Sequence, residues 1–346
     1  LKPFWLKHRA SHHFETQLCP ERSAREYSAT LVCHMESPNL GAYEVVLALP
    51  EGLPEAGLRV ICAPAHDRRP LSAEDEARLA ATWAGRLAGN PALFNGTKFR
   101  FAGATAEADG ATLRLGVTDY KSFLGTNCSE HWRSLLDASE DHLASALGNA
   151  AVLETSDGRV VLLRRSGNVG ECPNTIVMPG GHPEPEELGI SSAGSWEAET
   201  NASRAASAEW EAQVRYEIWD AMVREVVEET GVPRNSLQTP LCLGFSRRVV
   251  NHRPTIVFLI RCDLPAERVV ELYKTESGVH RDESTDLFTL DREEFVREVL
   301  EADSLPIPGC HRGAVTLYRD YLRLRALASS VAGLVMSSTS HFEDVV

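Results

Sequence analysis

Apolar residues along this chain fall into short dense runs separated by polar, Gly- and Pro-containing stretches, and they alternate with longer four-residue periodicities. That is the pattern of an α/β protein. EVVLALP (44–50) and LRVICAP (58–64) have the branched, apolar character of buried strands. After the loop AHDRRPL (65–71), Ser72 precedes Leu79, Trp83 and Leu87 at four-residue spacing, which predicts a capped helix ending at Gly89-Asn90-Pro91. KFRFAGAT (98–105) and ATLRLGVT (111–118) flank a turn and predict a hairpin, followed by the aromatic-bearing segment DYKSFLGTN (119–127).

A second series opens with NAAVLET (149–155) and VVLLRR (160–165) on either side of the turn SDGR. Trp210, Val214 and Ile218 predict a long helix over about 208–230. Strands at about 241–249, 255–262 and 285–290 then alternate with helices near 265–273, 291–302 and 312–327. The longest apolar runs, such as TIVFLI (255–260), are strand-sized and too short to span a bilayer.

The predicted organisation is therefore α/β: helices on both faces of a mixed sheet over 148–327, preceded by a small α/β domain over 35–147. Residues 188–207, rich in Gly, Ser and Ala, read as an inserted loop, and 328–346 as a flexible tail. Residues 1–34 show no steady period and read as a non-core leader, expected to be disordered. Glu15, Glu21 and Glu26 count against an organellar transit peptide there, so a cytoplasmic location is the expectation.

The formal net charge of −14 argues against nucleic-acid and membrane-surface partners, which are bound by clustered Lys and Arg. No protein partner is indicated. An acidic enzyme acting on an anion needs local cations or a metal to offset its own field. The eight cysteines are scattered with no CxxC pair, as expected of free thiols in a reducing compartment.

The segment REVVEETGV (224–232) concentrates the chemistry. On a helix, Glu225, Glu228 and Glu229 cluster on one side while Val223, Val226 and Val227 cluster on the other. Gly231 and Pro233 predict the helix end, so two of the acids sit where the helix dipole is negative and cations would be preferred. A solvated acidic face is the ordinary explanation. A bound Mg²⁺, with Mn²⁺ able to substitute, removes the repulsion and can activate water toward a phosphoanhydride. In MPGGHPEPEE (178–187), Gly180 and Gly181 permit close backbone approach to that helix or to a phosphate.

These two segments resemble the Nudix box, Gx5Ex7REUxEExGU with U aliphatic. Gly181 and Glu187 match its opening, and Arg224, Glu225, Val226, Glu228, Glu229, Gly231 and Val232 match its close. Between Glu187 and Arg224 lie 36 residues where the box has seven, and Glu187 is given no metal role. AHDRRPL, KFRF, LRLGVTDYKSFLGTN, VVLLRRS and PGGHPEPE, in that order, are similar to a divergent Nudix branch. It comprises the animal UDP-glucose pyrophosphatases and their plant Nudix hydrolase 9-type relatives.

The resemblance implies a Nudix α/β/α sandwich over 148–327, with 35–147 completing the substrate site. It implies metal ligation by Glu225 and Glu229, with Glu228 assisting and sharing the base role. Arg165 would reach the diphosphate, and Phe94, Tyr120, Gly170, His182 and Glu184 would contact substrate. For Phe94 and Tyr120 ordinary packing is the alternative, and for Arg165 a surface charge. The implied reaction is Mg²⁺-dependent hydrolysis of UDP-glucose, and of UDP-galactose, to UMP and the sugar 1-phosphate. The alternatives are another nucleoside diphosphate derivative (ADP-ribose, a dinucleotide, a coenzyme A compound) or a non-catalytic nucleotide-sugar sensor. Asp67, Arg68 and Arg69 read as a loop ion-pair cluster fixing the two domains, with a substrate-contacting cluster as the alternative, and Asn127 either caps a turn or meets ligand.

Overall fold

The structure, a computed structural model, describes residues 41–339 apart from 168, 170, 192–206, 277, 278 and 280–282, with side chains to 330. The leader 1–34, Gly170, most of the insertion at 188–207 and the last residues of the tail lie outside the described residues.

Strand-forming runs segregate into two sheets. β1 (Tyr43–Leu53), β5 (Gly148–Glu154), β6 (Arg159–Arg165), β8 (Leu241–Arg248), β9 (Arg253–Arg261) and β10 (Ser284–Asp291) form one sheet in the order β1-β8-β9-β5-β6-β10. The short β7 (Ile176–Val177) pairs with β6. The sheet is mixed, because β5 runs parallel to β9 while its other pairings are antiparallel. A second sheet holds β2 (Leu58–Cys62), β4 (Gly110–Asp119) and β3 (Thr97–Glu107), in that order.

Period-two alternation decides what covers each face. Leu153, Val161, Leu163, Ile256 and Phe258 face a core shared with α4 (Ala208–Thr230), α5 (Ala266–Thr275) and the three-stranded sheet. Their neighbours Val152, Val160, Leu162, Val257 and Leu259 face the opposite way, against α6 (Arg292–Leu300) and α7 (Gly309–Thr339). Both faces are thus buried by helices, which is the predicted α/β/α sandwich.

The N-terminal part divides between these layers. β1 is the edge strand of the larger sheet, antiparallel to β8 with Tyr43 opposite Arg248, so it does not belong to the three-stranded sheet that follows it. The described residues form one compact unit. α1 (Ala73–Gly89) starts at Ser72, whose side chain accepts from the Asp75 N–H, and its C-cap is Asn90. DYKSFLGTN folds into α2 (Tyr120–Gly125), capped by the Asp119 carboxylate accepting from Ser122 N at 2.7 Å; α3 (Trp132–Ala138) follows.

Two sequence readings acquire definite places. Asp67 Oδ1 accepts from Val117 N at 2.7 Å and Arg68 pairs with Glu76 at 2.8 Å, so these two residues tie the loop to β4 and α1, within the N-terminal part. Asn127 is fully buried: its amide donates to Asn251 O and its oxygen accepts from Ser145 N, both at 2.9 Å. The last helix differs from expectation. α7 runs on to Thr339 and does not stop near 327, since no proline interrupts the stretch. Among the described residues six cysteines are free, and no helix is long and apolar enough to cross a membrane.

Candidate active site

α4 carries the carboxylates, and its ends are set locally. The Ser207 side chain accepts from Trp210 N at the start, and Gly231 (φ 75°) takes the left-handed position at the end. Trp210, Val214, Ile218, Met222 and Val226 lock one side into the core, which turns Glu225 and Glu229 toward the loop after β7.

That loop is fastened to β5. Ala151 N donates to Pro179 O and Asn149 N to Gly181 O, both at 2.9 Å. The intervening Gly180 N–H faces the other way and donates to Glu229 Oε2 at 2.8 Å. His182 N donates to Glu225 Oε1 at 3.2 Å, and the Asn149 side chain accepts from Gly181 N at 2.6 Å. Gly180 is held by backbone, and Gly181 by the carboxylate end of Glu225. A Cβ at Gly181 would lie 1.8 Å from Glu225 Oε1, and one at Gly180 would lie 2.4 Å from Asn149 O.

Burial, followed by repulsion from Glu225, pushes Glu229 well above the usual carboxylate range. Burial together with Glu228, Glu283 and Glu184 pushes Glu225 up to about 7. A buried acid, Glu229, and a half-buried one, Glu225, one turn apart and each supported only in part by a backbone N–H, form a hard oxygen donor set of the kind a divalent cation takes. As arranged, no group of three or more His, Cys, Asp or Glu ligands converges among the described residues. The fit therefore rests on the chemistry of the donors.

Cations gather on the other side of the glycine loop. Arg165, at the end of β6, is half-buried and its Nε donates to Glu171 O at 3.1 Å, while its neighbour Arg164 is exposed on the opposite face. The Glu171 carboxylate accepts from Arg253 and from Arg248 Nη1 (3.3 Å). Burial would raise Glu171, but Arg253, Arg248 and Arg165 outweigh it and hold the carboxyl below its usual range. Arg253 Nη2 also reaches His182 Nε2 at 2.8 Å. Burial and the nearby Arg253, Lys98 and Arg165 keep His182 neutral, well below the ordinary histidine range. Lys98 projects from β3 to within 3.9 Å of Glu184 Oε1, and burial lowers its proton affinity.

The remaining sequence-derived residues divide. Tyr120 packs edge-on against Trp83 at 6.4 Å and feels both Glu171 and Arg253; burial, then Glu171, push its hydroxyl up to about 12. Phe94 is 54% exposed on the connection between α1 and β3. Glu184 is half-buried, and its N–H donates to Glu217 Oε1 at 2.9 Å. Glu228 is half-buried on α4 beside Glu225. Glu187 is exposed on the turn Pro185–Leu188. The carboxylates that hold Arg224 are Glu217 (2.8 Å) and Asp220 (2.5 Å), both upstream on α4 itself.

Sequence reading missed Arg253, Glu171, Lys98, Asn149 and Glu217. Lys98 lies in KFRF, and strand alternation could have placed it opposite the buried Phe99. Glu171 and Arg253 carry no local signal, since their partners lie on other strands and loops.

A carboxylate helix on a mixed sheet, faced by a glycine-glycine loop and an arginine cluster, defines a Nudix-type hydrolase. The sequence comparisons make this specific. The chain is 39% identical over 298 residues to Nudix hydrolase 9 of Arabidopsis thaliana, covering 82% of this chain and 92% of that protein. It is 35% identical over 281 residues to the human uridine diphosphate glucose pyrophosphatase NUDT22, covering 77% of this chain and 88% of that protein. The chain belongs to the Nudix hydrolase family, and it is an enzyme. No family model matches the sequence. Among solved structures, a MutT protein from Methanosarcina mazei Go1 superposes with a TM-score of 0.32 at 16% identity over 52% of this chain and 94% of that one. A mutT/nudix family protein from Listeria innocua gives 0.32 at 15% identity over 53% and 96%. At these scores the superpositions carry no argument.

Proposed function

We propose that this enzyme cleaves the diphosphate of UDP-glucose with water, giving UMP and glucose 1-phosphate, and that UDP-galactose is a second substrate. The observation that carries this reading is the juxtaposition of the Glu225–Glu229 pair with Arg165, Arg253, His182 and Lys98 across the glycine loop. A diphosphate has the charge to bridge those two sides. The printed name of the human relative, a uridine diphosphate glucose pyrophosphatase, supports the choice of substrate.

Glu225 and Glu229 would hold Mg²⁺, which when bound supplies a water of lowered pKa and neutralises phosphoryl charge. The chain's own residues do the rest. Gly180 N–H and His182 N–H orient the two carboxylates by fixing one oxygen of each. Glu228, beside them, takes part in accepting the proton of the attacking water. Arg165, oriented by Glu171 O, places a permanent cation beside Glu229, where it clamps a phosphoryl oxygen. Lys98 and Tyr120 bring the three-stranded sheet and α2 to the same cleft, so the N-terminal part contributes to substrate binding. Phe94, exposed nearby in the chain, offers an aromatic face for the base.

The test is to incubate the purified protein with UDP-glucose and Mg²⁺ and to separate the products, with Glu229→Gln in parallel. The expected result is UMP and glucose 1-phosphate from the wild type, and a rate lower by more than about 100-fold in the variant, as for loss of one charge-stabilising group. Turnover of ADP-ribose or a dinucleotide in preference to UDP-glucose would keep the chemistry and overturn the substrate. UDP-glucose binding without turnover in the presence of Mg²⁺ would overturn the reaction.

A further inference from the structure

Arg253 opens β9, and its side chain is 13% exposed, enclosed among residues distant in sequence. One terminal nitrogen donates to Glu171, and the other lies 2.8 Å from His182 Nε2. The plane of the group sits near the Phe123 ring, with the guanidinium carbon 5.7 Å from the ring centroid. A Cβ at Gly148 would come within 3.2 Å of Nη2, so the guanidinium is seated against the backbone of β5. Glu171 is in turn shared with Arg248.

A guanidinium only donates hydrogen bonds, so His182 Nε2 must be the acceptor at this distance. The ring proton then resides on Nδ1. Among the described residues, no hydrogen bond occupies Nδ1. The backbone of the same residue donates to Glu225, which places the imidazole next to the carboxylate pair. An arginine aimed at the ring nitrogen is unusual, because a positive neighbour does nothing to strengthen an imidazole as a base. What it does accomplish is the selection of one tautomer, and a buried, doubly anchored arginine does so rigidly.

We propose that Arg253 is a positioning residue that fixes the tautomer of His182, keeping Nε2 as an acceptor and making Nδ1–H the ring's one donor to a phosphoryl or sugar oxygen of the substrate. The substrate half of this inference rests on the nucleotide-sugar reading above, whereas the tautomer half does not. Neither the Nudix box nor any local pattern contains Arg253, and its contact with His182 exists only because β9 lies beside β5, to which the glycine loop is tied.

The experiment uses the full chain labelled with ¹⁵N-histidine, the His182 signals being identified by their loss in His182→Gln. In the wild type the expected spectrum has a protonated Nδ1 and an unprotonated Nε2. Arg253→Met should let the Nε2–H form appear, while Arg253→Lys, which retains a donor, should preserve the wild-type tautomer and part of the activity. For UDP-glucose, kcat/KM should fall by about 10–100-fold in Arg253→Met, the range for outer partners that orient a functional histidine. That loss should largely vanish when His182 is already Gln. A wild-type ring protonated at Nε2, a tautomer unmoved by Arg253→Met, or independent and additive losses would each overturn the proposal. If the Met variant does not fold, the wild-type tautomer and the Arg253→Lys comparison still decide it. If the tautomer shifts as expected but the wild type does not hydrolyse UDP-glucose, the substrate reading fails and the tautomer assignment stands.

Discussion

At the scale of single residues, the glycine loop ties backbone space to the position of a carboxylate. Gly181 leaves no room for a side chain because Glu225 occupies that space, with Oε1 1.8 Å from where a Cβ would stand. Gly181→Ala is therefore expected to displace the Glu225 carboxylate, lowering turnover by more than about 10-fold at saturating substrate while the chain still folds; steady-state kinetics beside a thermal melt would separate the two effects. His311 offers a second residue-scale test. Its Nδ1 accepts from Met178 N at 3.3 Å, and burial with Arg248, Arg165 and Arg253 nearby pushes its pKa down to about 3. The unfolded ring titrates near 6.5, so between those values the unfolded state carries the extra proton. Stability should therefore fall as pH drops from about 6.5, by up to about 1.4 kcal/mol per pH unit from this group, and recover as pH rises. Urea unfolding across that range should show a shallower pH dependence in His311→Gln than in the wild type.

At the scale of elements, α4 does two jobs with two faces. Trp210, 1% exposed, packs in the core and donates its indole N–H to Cys62 O at 3.1 Å, so it joins the carboxylate helix to the three-stranded sheet. Trp210→Ala should cost about 3–5 kcal/mol of stability, measured by denaturant unfolding. Removing the Ser207 cap should cost about 1 kcal/mol, because the helix retains its packing. The core period and the glycine end of this helix were legible in the chain, since both depend on residues within one or two turns. The partner of Arg224 was not. Arg224 matched the box with no partner assigned, and its guanidinium turns along its own helix to Glu217 and Asp220.

At the scale of the whole molecule, the edge strand β1 binds the N-terminal part into the larger sheet through β8, and the three-stranded sheet shares a core with α4. A fragment comprising 148–346 would expose the unpaired edge of β8 and the side of α4 around Trp210. It is expected to lack a cooperative thermal transition and to associate, whereas the full chain melts cooperatively; circular dichroism with gel filtration would distinguish them. The same arrangement sets Lys98 near Glu225 of α4 and Arg253 of β9, and Tyr120 near Glu171 and Arg253.

The sequence by itself determined most of the elements and the acidic face of the α4 helix. Alternation, capping residues and REVVEETGV are local, and local patterns survive reading one residue after another. Only the tertiary structure decided where β1 pairs and that Glu171, Arg253 and His182 meet. Those contacts join positions tens to hundreds of residues apart, and they follow from strand order and the path of the glycine loop along β5, which no local period encodes.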